Sequence, residues 1–148
     1  NLLNALGLKA ICVVENHHNY AWKDKLADGQ EVIIHRKGAT PAHSGELGII
    51  PGSMTAPAYL ISGKGSDHAL YSASHGAGRA MSRQKAKESM TSSAMKKQLV
   101  NAGVTLIGGS VEENPLAYKD IEQVITAQHE LIDIHGKFYP RIVRMNKD

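Results

Sequence analysis

Apolar residues recur along this chain in short blocks separated by polar or glycine-rich stretches, and the spacing within each block predicts an element. The run Ala10-Ile11-Cys12-Val13-Val14 is continuous and rich in β-branched residues, the pattern of a strand buried on both faces. Before it, Asn1-Leu2-Leu3-Asn4-Ala5-Leu6-Gly7 reads as the end of a helix closed by a left-handed glycine, which suggests that the chain starts within a larger fold. Asp28-Gly29 marks a turn before a strand over 31–35. Residues 38–57 hold Gly38, Pro41, Gly45, Gly48, Pro51, Gly52 and Pro57 and predict a long working loop. Strands over 58–62 and 69–73 follow, joined across Gly63-Lys64-Gly65-Ser66-Asp67 as a hairpin.

Helical character begins near Ala80, and a second helix opens at Thr91 or Ser92 and closes at Asn101-Ala102-Gly103. A strand over 104–107 comes next. Over 118–130, Ile121, Val124, Ile125 and Gln128 stand at i, i+3, i+4 and i+7 of an amphipathic helix. Residues 141–145 are an edge-strand candidate. Five or six short strands with about three helices, not regularly alternating, argue for an α+β fold.

Composition narrows the setting. The 148 residues are 42% hydrophobic and 21% charged, which excludes a collagen-like or disordered chain and makes one domain over 1–148 the default. The formal charge of +3 is compatible with phosphate-bearing partners. Cys12 is the single cysteine, so no internal disulfide is available. No run approaches the ~20 apolar residues of a membrane span, and no leader stands at the start, so a cytoplasmic protein is expected.

Chemistry gathers in a few places. His17-His18 follows the first predicted strand, where neutral imidazoles bind divalent metals well and Asn16 or Asn19 can orient a ring; surface histidines are the alternative. Ser74-His75-Gly76-Ala77-Gly78-Arg79 sits at a strand-to-helix junction. There Gly76 and Gly78 let backbone N–H groups approach a phosphate, the helix N-terminus and Arg79 add positive charge, and His75 can attack phosphorus. A tight turn with an exposed histidine explains the same letters. Pro51-Gly52-Ser53-Met54 is a second loop able to cradle a phosphate or ribose. Arg36-Lys37 fits a solvated strand end, and Lys85, Lys87, Lys96 and Lys97 a solvated helix face.

Taken in order, His17-His18-Asn19-Tyr20, Arg36-Lys37-Gly38-Ala39, Ile49-Ile50-Pro51-Gly52-Ser53-Met54, the ten residues from Ser74 to Arg83, and Pro115-Leu116-Ala117-Tyr118-Lys119-Asp120 resemble the C-terminal part of the RtcB family of RNA ligases. The resemblance runs through nearly the whole chain. It implies an RtcB-like mixed sheet with flanking helices. It also implies joining of RNA 3′-phosphate or 2′,3′-cyclic phosphate ends to 5′-hydroxyl ends, with GTP and manganese (Mn2+), in tRNA splicing or RNA repair. By the same resemblance His75 takes GMP covalently and His18 ligates manganese. The nucleotide contacts carried over are Asn19, Pro51, Gly52, Ser53, Met54, Ala58, His75, Gly76, Ala77, Gly78 and Lys147, with Tyr118 beside them.

Two departures stand out. Thr55 and Ala58 occupy positions where the family has a glycine and a guanine-contacting serine. The family's remaining metal ligands, an aspartate, a cysteine and two histidines, lie upstream of the matched region. The expectation is that ligation needs an N-terminal segment or a partner chain, the alternative being a diverged relative that binds nucleotide or RNA without sealing it.

Overall fold

The structure, a computed structural model, describes residues 2–17 and 19–145. His18 and Lys147, and with them the expected metal ligand and the expected guanine-contacting lysine, lie outside the described residues.

A short helix, α1 (Leu2–Ala5), ends as its sequence predicts, with Gly7 at φ +65° and the Leu8 N–H donating to the Leu3 carbonyl at 2.9 Å. The stretch after it is not the expected buried strand. Residues 10–14 form no strand, and Ile11 and Val13 are 106% and 71% exposed. An apolar run becomes a central strand only when neighbours cover both its faces, and none of the described elements does so here.

Strand β1 (Asn19–Lys25) and β2 (Glu31–Lys37) pair antiparallel through the Asp28-Gly29 turn, with Gly29 at φ +88°. The 38–57 stretch is less of a loop than its glycines and prolines imply, because it carries β3 (Ala39–Pro41) and β4 (Leu47–Pro51). β5 (Ala58–Gly63) is buried along nearly its whole length, as the centre of a three-stranded sheet between β4 and β8 (Ile132–Phe138). β6 (Ser72–Ser74) pairs with β3, so the expected 58–73 hairpin does not form. Leu70 and Tyr71 turn the chain away in left-handed conformations, with φ of 49° and 50°.

Arg36 holds that turn. It is buried rather than solvated, its Nη2 donating to the carbonyls of Leu70 at 2.9 Å and Tyr71 at 3.2 Å while its Nε donates to Ser72 Oγ at 2.7 Å.

The helical region agrees closely with its signals. Ser82 and Thr91 cap α2 (Arg83–Ser89) and α3 (Ser92–Asn101) by accepting from Lys85 and Ala94 N–H groups, and Gly103 at φ +68° ends the second. β7 (Thr105–Ile107) pairs in parallel with β9 (Ile142–Arg144). α4 (Ile121–Ala127) is capped by Asp120 and is shorter than the 118–130 expectation; of the expected face Ile121 and Ile125 are buried, Val124 is half-buried, and Gln128 is buried just past the helix end.

The result is a mixed α+β arrangement whose described strands fall into four small sheets rather than one. Two apolar clusters hold it. One joins Ile50, Tyr59, Ile61, Ile121, Ile125 and Ile132, and the other joins Met54, Met95, Leu99 and Val104. Among the described residues no helix is long and apolar enough to cross a membrane.

Candidate nucleotide-binding site

Between the β4–β5 connection and the segment after β6 lies a cavity of about 590 Å³, and its walls unite loops that are distant in sequence. Pro51 and Ala58 are cross-strand neighbours, so residues 52–57 form a closed loop, pinned by Gly52 N–H to the Pro57 carbonyl at 3.0 Å and Ala56 N–H to the Ser53 carbonyl at 3.2 Å. A Cβ on Gly52 would sit 2.6 Å from the Pro57 oxygen, so only glycine lets the loop close. Met54 anchors the loop from below by burying its side chain in the second apolar cluster.

His75 is half-buried and enters from β6. The β3–β6 pairing places Ser74 opposite Ala39, and the His75 N–H donates to the Gly38 carbonyl at 3.3 Å. Ser74 is held in turn by the Gln128 side chain, whose Oε1 accepts its N–H at 2.9 Å. The two loops are tied directly, because the Ala77 N–H donates to the Pro51 carbonyl at 3.0 Å. Gly76 packs against that same carbonyl, 3.3 Å from where its Cβ would stand, while Gly78 lies at φ +71° with open space around it.

Ser53, Ala58, His75, Gly76, Ala77 and Gly78 all line this cavity beside Pro51, Gly52 and Met54. Asn19 is not among the lining residues. It starts β1 opposite Lys37, beside the Gly38 that holds His75, and its Oδ1 meets His35 Nε2 at 2.6 Å.

Two sequence expectations need correction. α2 begins only at Arg83, so no helix N-terminus caps the 76–78 loop. Arg79 is engaged in structure rather than offered to an anion. Its Nη2 donates to the Glu112 carbonyl at 2.6 Å, its Nε to the Met81 carbonyl at 3.2 Å, and its Nη1 meets Glu113 Oε1 at 3.3 Å.

On the far wall Tyr118, which the resemblance names, lines the cavity, whereas its neighbours there, Glu113, Phe138, Pro140, Val143 and Met145, were not visible in the sequence pattern. The Tyr118 hydroxyl donates to Glu113 Oε2, and burial together with that carboxylate pushes the phenol up to about 12, so it stays protonated. The lining is mainly apolar, with Ser53, His75, Arg79, Arg83, Glu113 and Tyr118 as its polar side chains, the composition usual for a small-molecule site. Among the described residues no group of three or more His, Cys, Asp or Glu is placed to hold a metal ion.

Residues 3–146 match the family described as tRNA-splicing ligase RtcB. The chain is 40% identical over 118 residues to the RNA-splicing ligase RtcB of Escherichia coli K12, covering 80% of this chain and 29% of that protein. It is 37% identical over 151 residues to the tRNA-splicing ligase RtcB of Nanoarchaeum equitans, covering 87% of this chain and 31% of that protein. Against the RNA-splicing ligase RtcB of Mycobacterium tuberculosis the figures are 38% over 122 residues, 70% and 28%. The chain therefore spans about a third or less of the length of these relatives. With the match running almost end to end and through both loops of the cavity, the chain belongs to the RtcB family.

Proposed function

We propose that these residues form the C-terminal, nucleotide-binding part of a cytoplasmic RNA ligase. In this reading the whole protein joins RNA ends bearing a 3′-phosphate, or a 2′,3′-cyclic phosphate once opened, to 5′-hydroxyl ends. The observation that carries the reading is the convergence of residues 51–54 and 75–78 on one cavity, locked by the bond from Ala77 to Pro51.

A His75 ring nitrogen attacks the α-phosphorus of GTP; a nitrogen–phosphorus bond forms, the bond to the bridging oxygen breaks, and pyrophosphate leaves. The held nucleotide then passes to the RNA 3′-phosphate, freeing His75. The 5′-hydroxyl attacks that activated phosphorus, losing its proton as GMP departs. The Gly78 N–H and the Ser53 hydroxyl steady the phosphates, the apolar lining receives the base, and Asn19 and Lys147 add nucleotide contacts. The described residues supply no complete donor set for manganese, so no step here runs through the metal. His18 contributes one ligand, and the others come from an N-terminal segment or a partner chain.

A second reading, a relative that holds nucleotide or RNA without sealing it, draws support from Ala58, which presents a methyl group on the cavity wall where the family resemblance implies a hydroxyl. The test is the intact mass of the whole protein after incubation with GTP and manganese. Gain of one GMP, lost in His75→Ala, is expected. Labelling that survives His75→Ala overturns the assignment, and nucleotide binding without labelling favours the second reading.

A further inference from the structure

The cavity wall opposite the 51–54 loop is organised by a carboxylate that no sequence motif singled out. Glu113 is mostly buried and spends both oxygens within the protein. Oε1 lies 3.3 Å from Arg79 Nη1, and Oε2 accepts the Tyr118 hydroxyl. Arg79 directly follows Gly78, at the end of the 75–78 loop, and its guanidinium carbon stands 5.4 Å from the Tyr118 ring centre. The backbone repeats the connection, with Ala80 N–H donating to the Ala117 carbonyl at 2.8 Å and Lys119 N–H to the Gly78 carbonyl at 3.0 Å. Glu113 thus ties the end of the glycine loop to the tyrosine on the neighbouring segment, where Arg79 and Tyr118 form an antiparallel bridge. Its neighbour Glu112 serves a different purpose, since its carboxylate turns to Lys87 at 3.0 Å and Arg83 at 3.7 Å.

We propose that Glu113 is a positioning residue for the nucleotide, holding Arg79 and Tyr118 against each other so that the loop beside His75 keeps the shape that receives phosphate. The inference rests on the nucleotide reading above. Arg79 is a five-donor fork, and two of its other donors go to backbone carbonyls. Without the carboxylate it keeps neutral partners only, and the loop end it anchors is free to shift. The raised Tyr118 pKa fits this arrangement, because a phenol that stays protonated remains a donor to Glu113 throughout the neutral range.

The test measures binding of a fluorescent GTP analogue, and separately the GTP dependence of covalent labelling, on the whole protein carrying Glu113→Gln. Loss of a charge-assisted hydrogen bond predicts about tenfold weaker binding and a matching rise in half-saturating GTP. The labelling rate at saturation stays within about twofold, since only an interaction common to ground and transition states has been removed. A general folding defect would instead lower the labelled fraction and leave half-saturation in place. Tyr118→Phe, which deletes one hydroxyl, gives a smaller loss in the same direction, and the double variant falls short of the sum of the two. Wild-type or tighter binding in Glu113→Gln, or strict additivity with Tyr118→Phe, overturns the proposal. Wild-type protein that binds the analogue yet never labels overturns the ligase reading and leaves Glu113 to be judged on binding alone.

Discussion

Replacing Gly52 by alanine would put a methyl carbon 2.6 Å from the Pro57 carbonyl oxygen, 2.8 Å from Ala56 Cβ and 3.3 Å from Ile121 Cβ. The first of these is backbone, fixed by its own hydrogen bond to Gly52 at 3.0 Å, so no flexible side chain can swing aside. The 52–57 loop must widen. Overpacking of this kind costs about 1–3 kcal/mol, which for a unit of this size lowers the thermal midpoint by about 4–8 °C at the middle of that range. The strain also travels. Pro51 precedes the substituted residue and accepts the Ala77 N–H at 3.0 Å, so a shifted loop pulls on the segment that carries His75. Gly78→Ala is the contrasting case, since its Cβ meets nothing within 4 Å and the penalty comes from φ +71° alone, about 1–2 kcal/mol and local. Thermal unfolding and the GTP dependence of His75 labelling, measured side by side, separate the two. Gly52→Ala should lose stability and require more GTP, whereas Gly78→Ala should lose stability with a smaller change in nucleotide demand. A Gly52→Ala protein with wild-type midpoint and wild-type GTP dependence would refute the claim that this loop closure shapes the site.

Three further outcomes follow from single side chains. Asn114 is fully buried and its Nδ2 donates to the Ala86 carbonyl at 3.0 Å and the Val111 carbonyl at 2.8 Å; both carbonyls keep another donor, so Asn114→Ala removes two hydrogen bonds without orphaning either and should cost about 2 kcal/mol, read as a lower urea midpoint. Thr91→Ala removes the α3 cap and should cost about 1 kcal/mol; an unchanged midpoint would mean that solvent replaces the hydroxyl without penalty. Burial pushes the Asp24 carboxyl up, but the Lys25 N–H, His43 and Arg36 outweigh it and hold the group below the usual carboxylate range. Its stabilising contribution is therefore complete above about pH 4 and is lost as pH falls through the folded-state value. Asp24→Asn should flatten that part of the acid unfolding curve, and parallel curves for variant and wild type would contradict the assignment.

Local signals were enough wherever the chain's own next few residues decide the outcome. Thr91 announces its helix because a cap needs only an oxygen and the N–H groups two or three residues on, whereas Ser82 and Asp120 cap helices that begin about three residues later than their patterns predict. The 51–54 and 75–78 loops were equally visible, since a glycine is required wherever backbone approaches backbone or anion. Pairing is another matter. β1 is mostly exposed, and its alternation is confined to half-buried Trp22 and Asp24, so only its hairpin partner reveals it as a strand. Residues 10–14 carry the stronger strand pattern and form none, because composition states what a segment needs to bury and not whether a neighbour arrives. The turn at Leu70 and Tyr71 contains no glycine; it exists because Arg36, more than thirty residues away, accepts burial and reaches both carbonyls.

The same division runs through the site. Its glycine side is written in consecutive letters and was legible. Its far side is assembled by register: Ala58 opposite Phe138 between β5 and β8, and Thr105 opposite Ile142 in the parallel β7–β9 pair, which together bring Phe138, Val143 and Met145 to the cavity. Glu113 belongs to this second kind. Nothing in Val111-Glu112-Glu113 distinguishes one carboxylate from its neighbour until the backbone bridge between Arg79 and Tyr118 sends one toward the cavity wall and the other toward Lys87 and Arg83. A nucleophile and its cradle can therefore be named from motif, while the residue that keeps the cradle in shape is found only where separate segments meet.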